Sequence, residues 1–191
     1  MYKIVAVVVE NPAFKEHVES LETRHQEVEA FNAKNVYRTW IKFTEQYGGY
    51  GMIALRDFCP GEVVVKGIQL REDPKSIHSI TGPDGREYKY NLSAETINHS
   101  CDPSTVPCDE GGEYVFVGRK AITAGQEVFW NYNATEPVIS FFNMASKNPG
   151  ECFCKSECCV KIVKGFGALS PGQLVVLETQ RREAEEARGK K

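Results

Sequence analysis

Cys152, Cys154 and Cys159 follow the spacing Cys-x-Cys-x4-Cys. Three thiolates this close in sequence cannot be three disulfide partners, but they can wrap one small ion, and zinc takes four such ligands in a tetrahedron. The spacing leaves the fourth ligand open among Cys101, Cys108, Cys59 and the adjacent Cys158. It favours a structural zinc over free core thiols, with disulfides last. Two further stretches carry groups suited to polar ligands. One is Ile97-Asn98-His99-Ser100-Cys101-Asp102-Pro103, and the other is Glu127-Val128-Phe129-Trp130-Asn131-Tyr132. Alone, a short Asn-His pair is a chance event and a histidine is more often packed or at the surface. A strand-end tyrosine is ordinarily a core residue with its hydroxyl in water. Taken with the cysteines, the three stretches suggest one zinc-pinned active site.

These groups need a scaffold, and 191 residues with 41% hydrophobic content suffice for one core. A net charge of -3 offers no basic field for nucleic acid or an anionic membrane, so a basic peptide is the better electrostatic match. No apolar run approaches the ~20 residues needed to cross a bilayer. The opening Ile4 to Val9 lacks the form of a signal peptide. The seven cysteines therefore imply a reducing, intracellular setting, nucleus or cytoplasm.

Val5 to Val9 reads as a buried strand, and Pro12 to about Ala33 as a helix with a partial apolar stripe. Tyr37 to Phe43 alternates as a half-buried strand does. Met52 to Leu55, Gly61 to Val65, Tyr88 to Leu92, Glu113 to Val117 and Glu127 to Tyr132 read as short strands punctuated by Gly and Pro turns. The expected class is mainly β (α+β). Asp102, Asp109, Glu110 and Glu113 read as a solvated loop. Ser170 and Pro171 open a short helix whose apolar face is Leu174, Val175 and Leu177, and the following RREAEEARGKK is expected to fray.

In this order the motifs resemble the SET-domain protein lysine methyltransferases, in particular small members with a post-SET zinc knuckle and no evident pre-SET region. The resemblance covers roughly residues 45 to 170. It implies a SET-type β fold of several short sheets with a knot-like active-site crossing. The expected layout is an N-terminal extension (1–44), a SET domain (45–136), a post-SET zinc segment (137–170) and a C-terminal helix with charged tail (171–191). In this family the knuckle joins the cysteine of the Asn-His-Ser-Cys motif, implying Cys101, Cys152, Cys154 and Cys159 as zinc ligands. Gly49-Tyr50-Gly51 resembles the family's opening Gly-x-Gly, where backbone without Cβ can approach a ligand. With Asn98, His99 and the aromatic Phe153, it is implied to hold S-adenosylmethionine. Tyr132 is implied as the catalytic tyrosine, and Trp130 as the residue that sets room around the amine.

The implied activity is methyl transfer to a lysine of a basic protein or peptide, a histone tail among the candidates, with no direct role for nucleic acid or membrane. Trp130 is bulkier than the usual Phe or Tyr, which predicts monomethylation. Ser104, Asn131 and Glu95 also depart from the usual residues. These four departures support an alternative, a catalytically silent SET-like module that binds a basic partner. A small zinc-stabilised β protein without cofactor is the third reading. The target lysine, the oligomeric state and the role of residues 1–44 are not written in the sequence.

Overall fold

The computed structural model describes residues 12–34, 38–44, 49–72, 79–139 and 150–189, with the side chains of 12–22 and 44 left aside. The expected strand at Val5 to Val9 lies outside these residues, as does Tyr37.

Among the described residues, ten short strands form three small sheets. The first contains β1 (Thr39–Thr44), β2 (Gly49–Ala54), β10 (Glu127–Trp130) and β7 (Asn98–His99), in that order. The second contains β3 (Val63–Gly67), β9 (Glu113–Gly118) and β8 (Thr105–Glu110). The third contains β4 (Gln69–Glu72), β6 (Glu87–Tyr90) and β5 (Ser79–Thr81). All pairings are antiparallel except β7 with β10. The inner faces contribute Met52, Val65, Tyr90, Phe116, Ile122 and Val128 to one core, which is the source of the fold's hydrophobic stabilisation.

The helix α1 (Pro12–Lys34) is continuous, as its partial stripe suggests, and it is docked by polar groups as well as by Val28. Asn32 donates to the Ile41 carbonyl and accepts from the Ile41 amide, both at 2.8 Å, so its amide acts as an extra strand residue on the edge of β1. Arg24 donates to Glu95 at 3.0 Å, and the Glu95 side chain is only 1% exposed. Glu95 ends the short helix α2 (Leu92–Glu95), so the residue at this unusual position is the partner of α1.

Three expectations need correction. The strand expected over Tyr88 to Leu92 stops at Tyr90, because the Asn91 side chain bonds Ile68 and Lys66 while its carbonyl accepts from Ala94 and starts α2. Asp109, Glu110 and Glu113 belong to the tight β8–β9 hairpin, with Gly111 and Gly112 at positive φ as such a turn requires. Asp102 pairs with Arg119 and Lys120.

The third concerns the C-terminus. Helix α3 (Pro171–Gly189) takes in most of the stretch expected to fray. Ser170 and Gln173 form a reciprocal capping box at its start. Leu174 and Val175 are exposed, and the buried face is instead Gln180 and Ala184. Ala184 packs with Val106, Cys108, Val115 and Val117. Strand β8 is a sheet edge, where Pro107 is tolerated. The small side chain of Ala184 lets α3 lie close against this sheet. Arg119–Glu183 and Arg188–Glu110 pin the helix at 2.7 and 2.9 Å.

Candidate active site

The parallel pairing of β7 with β10 sets Asn98 opposite Phe129 and His99 opposite Trp130. Two stretches about thirty residues apart in sequence thereby become neighbours. The chain then leaves β10 through Asn131 into a 3-10 turn, Tyr132–Ala134. Asn131 caps this turn, its side-chain oxygen accepting from the Asn133 amide at 3.2 Å.

The Tyr132 side chain is fixed from several directions. Its amide donates to His99 Nδ1 at 3.1 Å and its hydroxyl donates to the Ile97 carbonyl at 3.0 Å. Its ring lies 5.2 Å from that of His99 and 4.9 Å from that of Trp130. Burial holds the hydroxyl's pKa well above the ordinary tyrosine value, and the nearby Glu127 charge adds to this. Tyr132 is therefore a protonated hydrogen-bonding group at neutral pH. Trp130 is buried, its indole N–H donates to the same Ile97 carbonyl at 3.1 Å, and its ring meets Phe116 edge-on at 5.5 Å.

His99 faces two ways. Because Nδ1 accepts from the Tyr132 amide, the ring proton belongs on Nε2, which lies 3.3 Å from Cys101 Sγ. One imidazole thus joins the tyrosine turn to the cysteine cluster.

The four thiols of Cys101, Cys152, Cys154 and Cys159 all lie within 4.8 Å of one another. A tetrahedral zinc with sulfur at ~2.3 Å needs S–S edges of about 3.8 Å, and Cys101 Sγ lies 3.8 Å from Cys152 Sγ. The donor set and its spacing fit zinc. In the protein alone, the hydrogen bond to Cys152 and then burial push the Cys101 thiol up, while the sulfur of Cys152 that accepts this bond is drawn down. The other cysteines stand apart from the cluster: Cys59 is exposed, Cys108 packs beneath α3, and Cys158 donates to the Cys101 carbonyl at 3.2 Å.

Gly49, Tyr50 and Gly51 on β2 face Asn98 on β7, the two strands that flank β10. Asn98 Nδ2 donates to the Tyr50 carbonyl at 3.1 Å and to Glu127 Oε1 at 2.8 Å. A Cβ at Gly51 would lie 2.4 Å from that carboxylate oxygen, so glycine here admits Glu127. At Gly49 no atom of the described residues lies within 4 Å of the Cβ position. Burial raises the Glu127 carboxyl above its ordinary value, and the Asn98 hydrogen bond opposes this. Phe153 is 51% exposed beside the cysteine cluster.

Gln180 of α3 was not expected at the site. Its amide N–H donates to the Cys101 carbonyl at 2.8 Å, and its oxygen faces Asn131 Nδ2 at 3.5 Å. Glu127 opens the stretch that ends at Tyr132, whereas Gln180 sits in no recognisable spacing and only the fold brings it in.

Residues 49–133 match the SET domain family. The match opens with the first residue of β2 and closes one residue after Tyr132, so it contains the β7–β10 crossing and omits α1, the cysteine knuckle and α3. No curated protein matches the chain. Among solved structures, a candidate histone methyltransferase of Plasmodium falciparum is 13% identical with a TM-score of 0.41, covering 50% of this chain and 92% of that one. The methyltransferase domain of human PR domain-containing protein 2 is 13% identical with a TM-score of 0.45, covering 56% and 85%.

Proposed function

We propose that the protein is an S-adenosylmethionine-dependent protein lysine N-methyltransferase with a structural zinc. Its substrate is a lysine of a basic protein, a histone tail among the candidates. The observation that carries this reading is the β7–β10 crossing, which gathers Asn98, His99, Trp130 and Tyr132 within the SET match.

The methyl donor would sit against Gly49, Tyr50, Gly51, Asn98 and His99, with Phe153 available to cover it. When bound it supplies a methyl group on a sulfonium, ready for in-line transfer to a neutral amine. The chain's own task is alignment and exclusion of water. Tyr132 would orient the lysine amine through its buried hydroxyl, whose proton goes to the Ile97 carbonyl and whose oxygen keeps a lone pair for an amine N–H. Trp130 narrows the space and would limit the product to one methyl. Cys101, Cys152, Cys154 and Cys159 would hold zinc and clamp the post-SET segment to the Asn-His-Ser-Cys loop.

The unusual residues have local partners that leave this arrangement intact. Ser104 exchanges hydrogen bonds with the Phe129 backbone, at 3.0 Å from its amide and 3.4 Å to its carbonyl. Glu95 takes Arg24, and Asn131 caps the tyrosine turn. This supports an active enzyme over a silent module.

The test is mass spectrometry of a panel of histones and other basic proteins after incubation with isotope-labelled S-adenosylmethionine. A labelled lysine is the expected result. Cofactor binding with no label on any substrate would favour the silent module, and absence of binding by zinc-loaded protein would overturn the reading.

A further inference from the structure

The side-chain amide of Asn98 has only one sensible orientation. Two acceptors, the Tyr50 carbonyl at 3.1 Å and Glu127 Oε1 at 2.8 Å, lie on one side of it. Rotating the amide by half a turn would set Oδ1 against both, so each must receive an N–H, and both N–H bonds are committed. The Oδ1 is left as an acceptor, and no donor among the described residues reaches it. The side chain is half-buried, and no atom of the described residues lies within 4 Å of the Cβ position at neighbouring Gly49. A carboxylate beside an oriented carbonyl oxygen is a pairing for a cationic hydrogen-bond donor.

S-adenosylmethionine carries two cationic groups, a sulfonium and an ammonium, and only the ammonium has protons to donate. We propose that Glu127 is a positioning residue for the methyl donor: it holds the Asn98 amide so that Oδ1 accepts from the donor's ammonium group. This rests on the reading of the site as a cofactor pocket. It assigns Gly51 a definite purpose, because a Cβ there would meet Glu127 Oε1 at 2.4 Å and Asn98 Nδ2 at 3.0 Å, displacing both.

Calorimetry on the full zinc-loaded chain tests this with two probes. S-adenosylhomocysteine has the ammonium, whereas 5′-methylthioadenosine keeps the nucleoside and thioether but lacks the amino-acid end. Glu127→Ala should weaken the first by roughly tenfold, the size of a lost hydrogen bond to a charged group, and leave the second within about twofold of wild type by the same reckoning. Glu127→Gln keeps an acceptor oxygen and should recover most of the loss. Should Glu127→Ala fail to fold, Glu127→Asp, which draws the carboxylate back from Asn98 by one methylene, should give the same selective loss. Equal weakening of both probes, or of neither, would overturn the positioning role while leaving the cofactor pocket standing. Binding of neither probe by the wild type would remove the pocket itself and the proposal with it.

Discussion

Trp130 and Tyr132 donate to one backbone oxygen, that of Ile97, at 3.1 and 3.0 Å. The residue that would set the room around the proposed amine and the residue that would orient it are thereby held in one frame. Their rings stand 4.9 Å apart. A change in either moves the reference point of the other.

Tyr132→Phe removes the hydroxyl and keeps the ring against His99 and Trp130. Loss of the bond to Ile97 should lower stability by only about 1 kcal/mol, while misalignment of the amine should lower the methylation rate by roughly a hundredfold or more. Denaturation midpoints and single-turnover rates measured on the same preparation check this. An unaffected rate would remove Tyr132 from the proposed chemistry.

Trp130→Phe frees volume and leaves Tyr132 as the remaining side-chain donor of the pair to Ile97. The wild type should stop at one methyl and the variant should add a second, read as the mass of the intact product. An unchanged product would mean that Trp130 bulk does not set the methylation state.

Cys154→Ser leaves three thiols in the cluster. Zinc content, expected at one per chain in the wild type, should fall, and the segment carrying Cys152 to Val163 should become sensitive to protease, since a metal clamp contributes folding free energy directly. His99 Nε2 lies 3.3 Å from Cys101 Sγ, so affinity for the cofactor should fall along with the metal. Zinc content by elemental analysis that stays at one per chain would contradict the ligand set.

Much of this site is legible in the sequence because its chemistry comes in short contiguous runs. Cys152-Phe153-Cys154 and Asn98-His99-Ser100-Cys101 each place several functional groups on a few residues, and the β7–β10 pairing needs only two residue pairs. The supporting residues are of another kind. Gln180 reaches Cys101 from 79 positions away, and Arg24 reaches Glu95 from 71, so no local period announces either. The expected frayed tail illustrates the same point. Its residues lack an apolar stripe, yet the close fit of Ala184 on the β8–β9 sheet and the ion pairs of Glu183 and Arg188 hold it as helix. Strand β8 was hidden by Pro107, which an edge strand accommodates.

Glu136 gives a test by pH. Its carboxylate accepts from the Thr81 amide and hydroxyl, both at 2.7 Å, linking β5 to the segment after Tyr132. Burial raises its pKa above the ordinary 4.5, against the lowering effect of those hydrogen bonds. A carboxyl whose folded value is raised keeps its proton longer in the native state, so its contribution to stability is fully present below about 4.5 and is lost as pH rises through the folded value. Glu136→Gln keeps a carbonyl acceptor and removes the ionisation. Urea midpoints between pH 4 and 8, a window of roughly four units chosen around that ordinary glutamate value, should therefore fall less steeply for the variant than for the wild type. Parallel curves would mean that Glu136 does not carry this linkage.

Asn131 and Gln180 make a coupled pair across α3 and the tyrosine turn. Gln180 gives its N–H to the Cys101 carbonyl at 2.8 Å, which aims its oxygen at Asn131 Nδ2, a longer contact at 3.5 Å. Asn131→Asp restores the residue common in SET relatives, but here it sets a carboxylate oxygen against the Gln180 oxygen in a buried place. It should destabilise the protein by about 1–3 kcal/mol, as a buried polar group left with the wrong partner does. Gln180→Ala alone should cost about 1 kcal/mol, because the Cys101 carbonyl keeps only the weaker Cys158 thiol as a donor. In the double variant the clash is gone, so the two losses should sum to less than their separate values, with an interaction energy of at least ~0.5 kcal/mol in a double-mutant cycle. Strict additivity would show that Asn131 and Gln180 act independently, and that α3 steadies the zinc-bearing loop without reaching the turn that carries Tyr132.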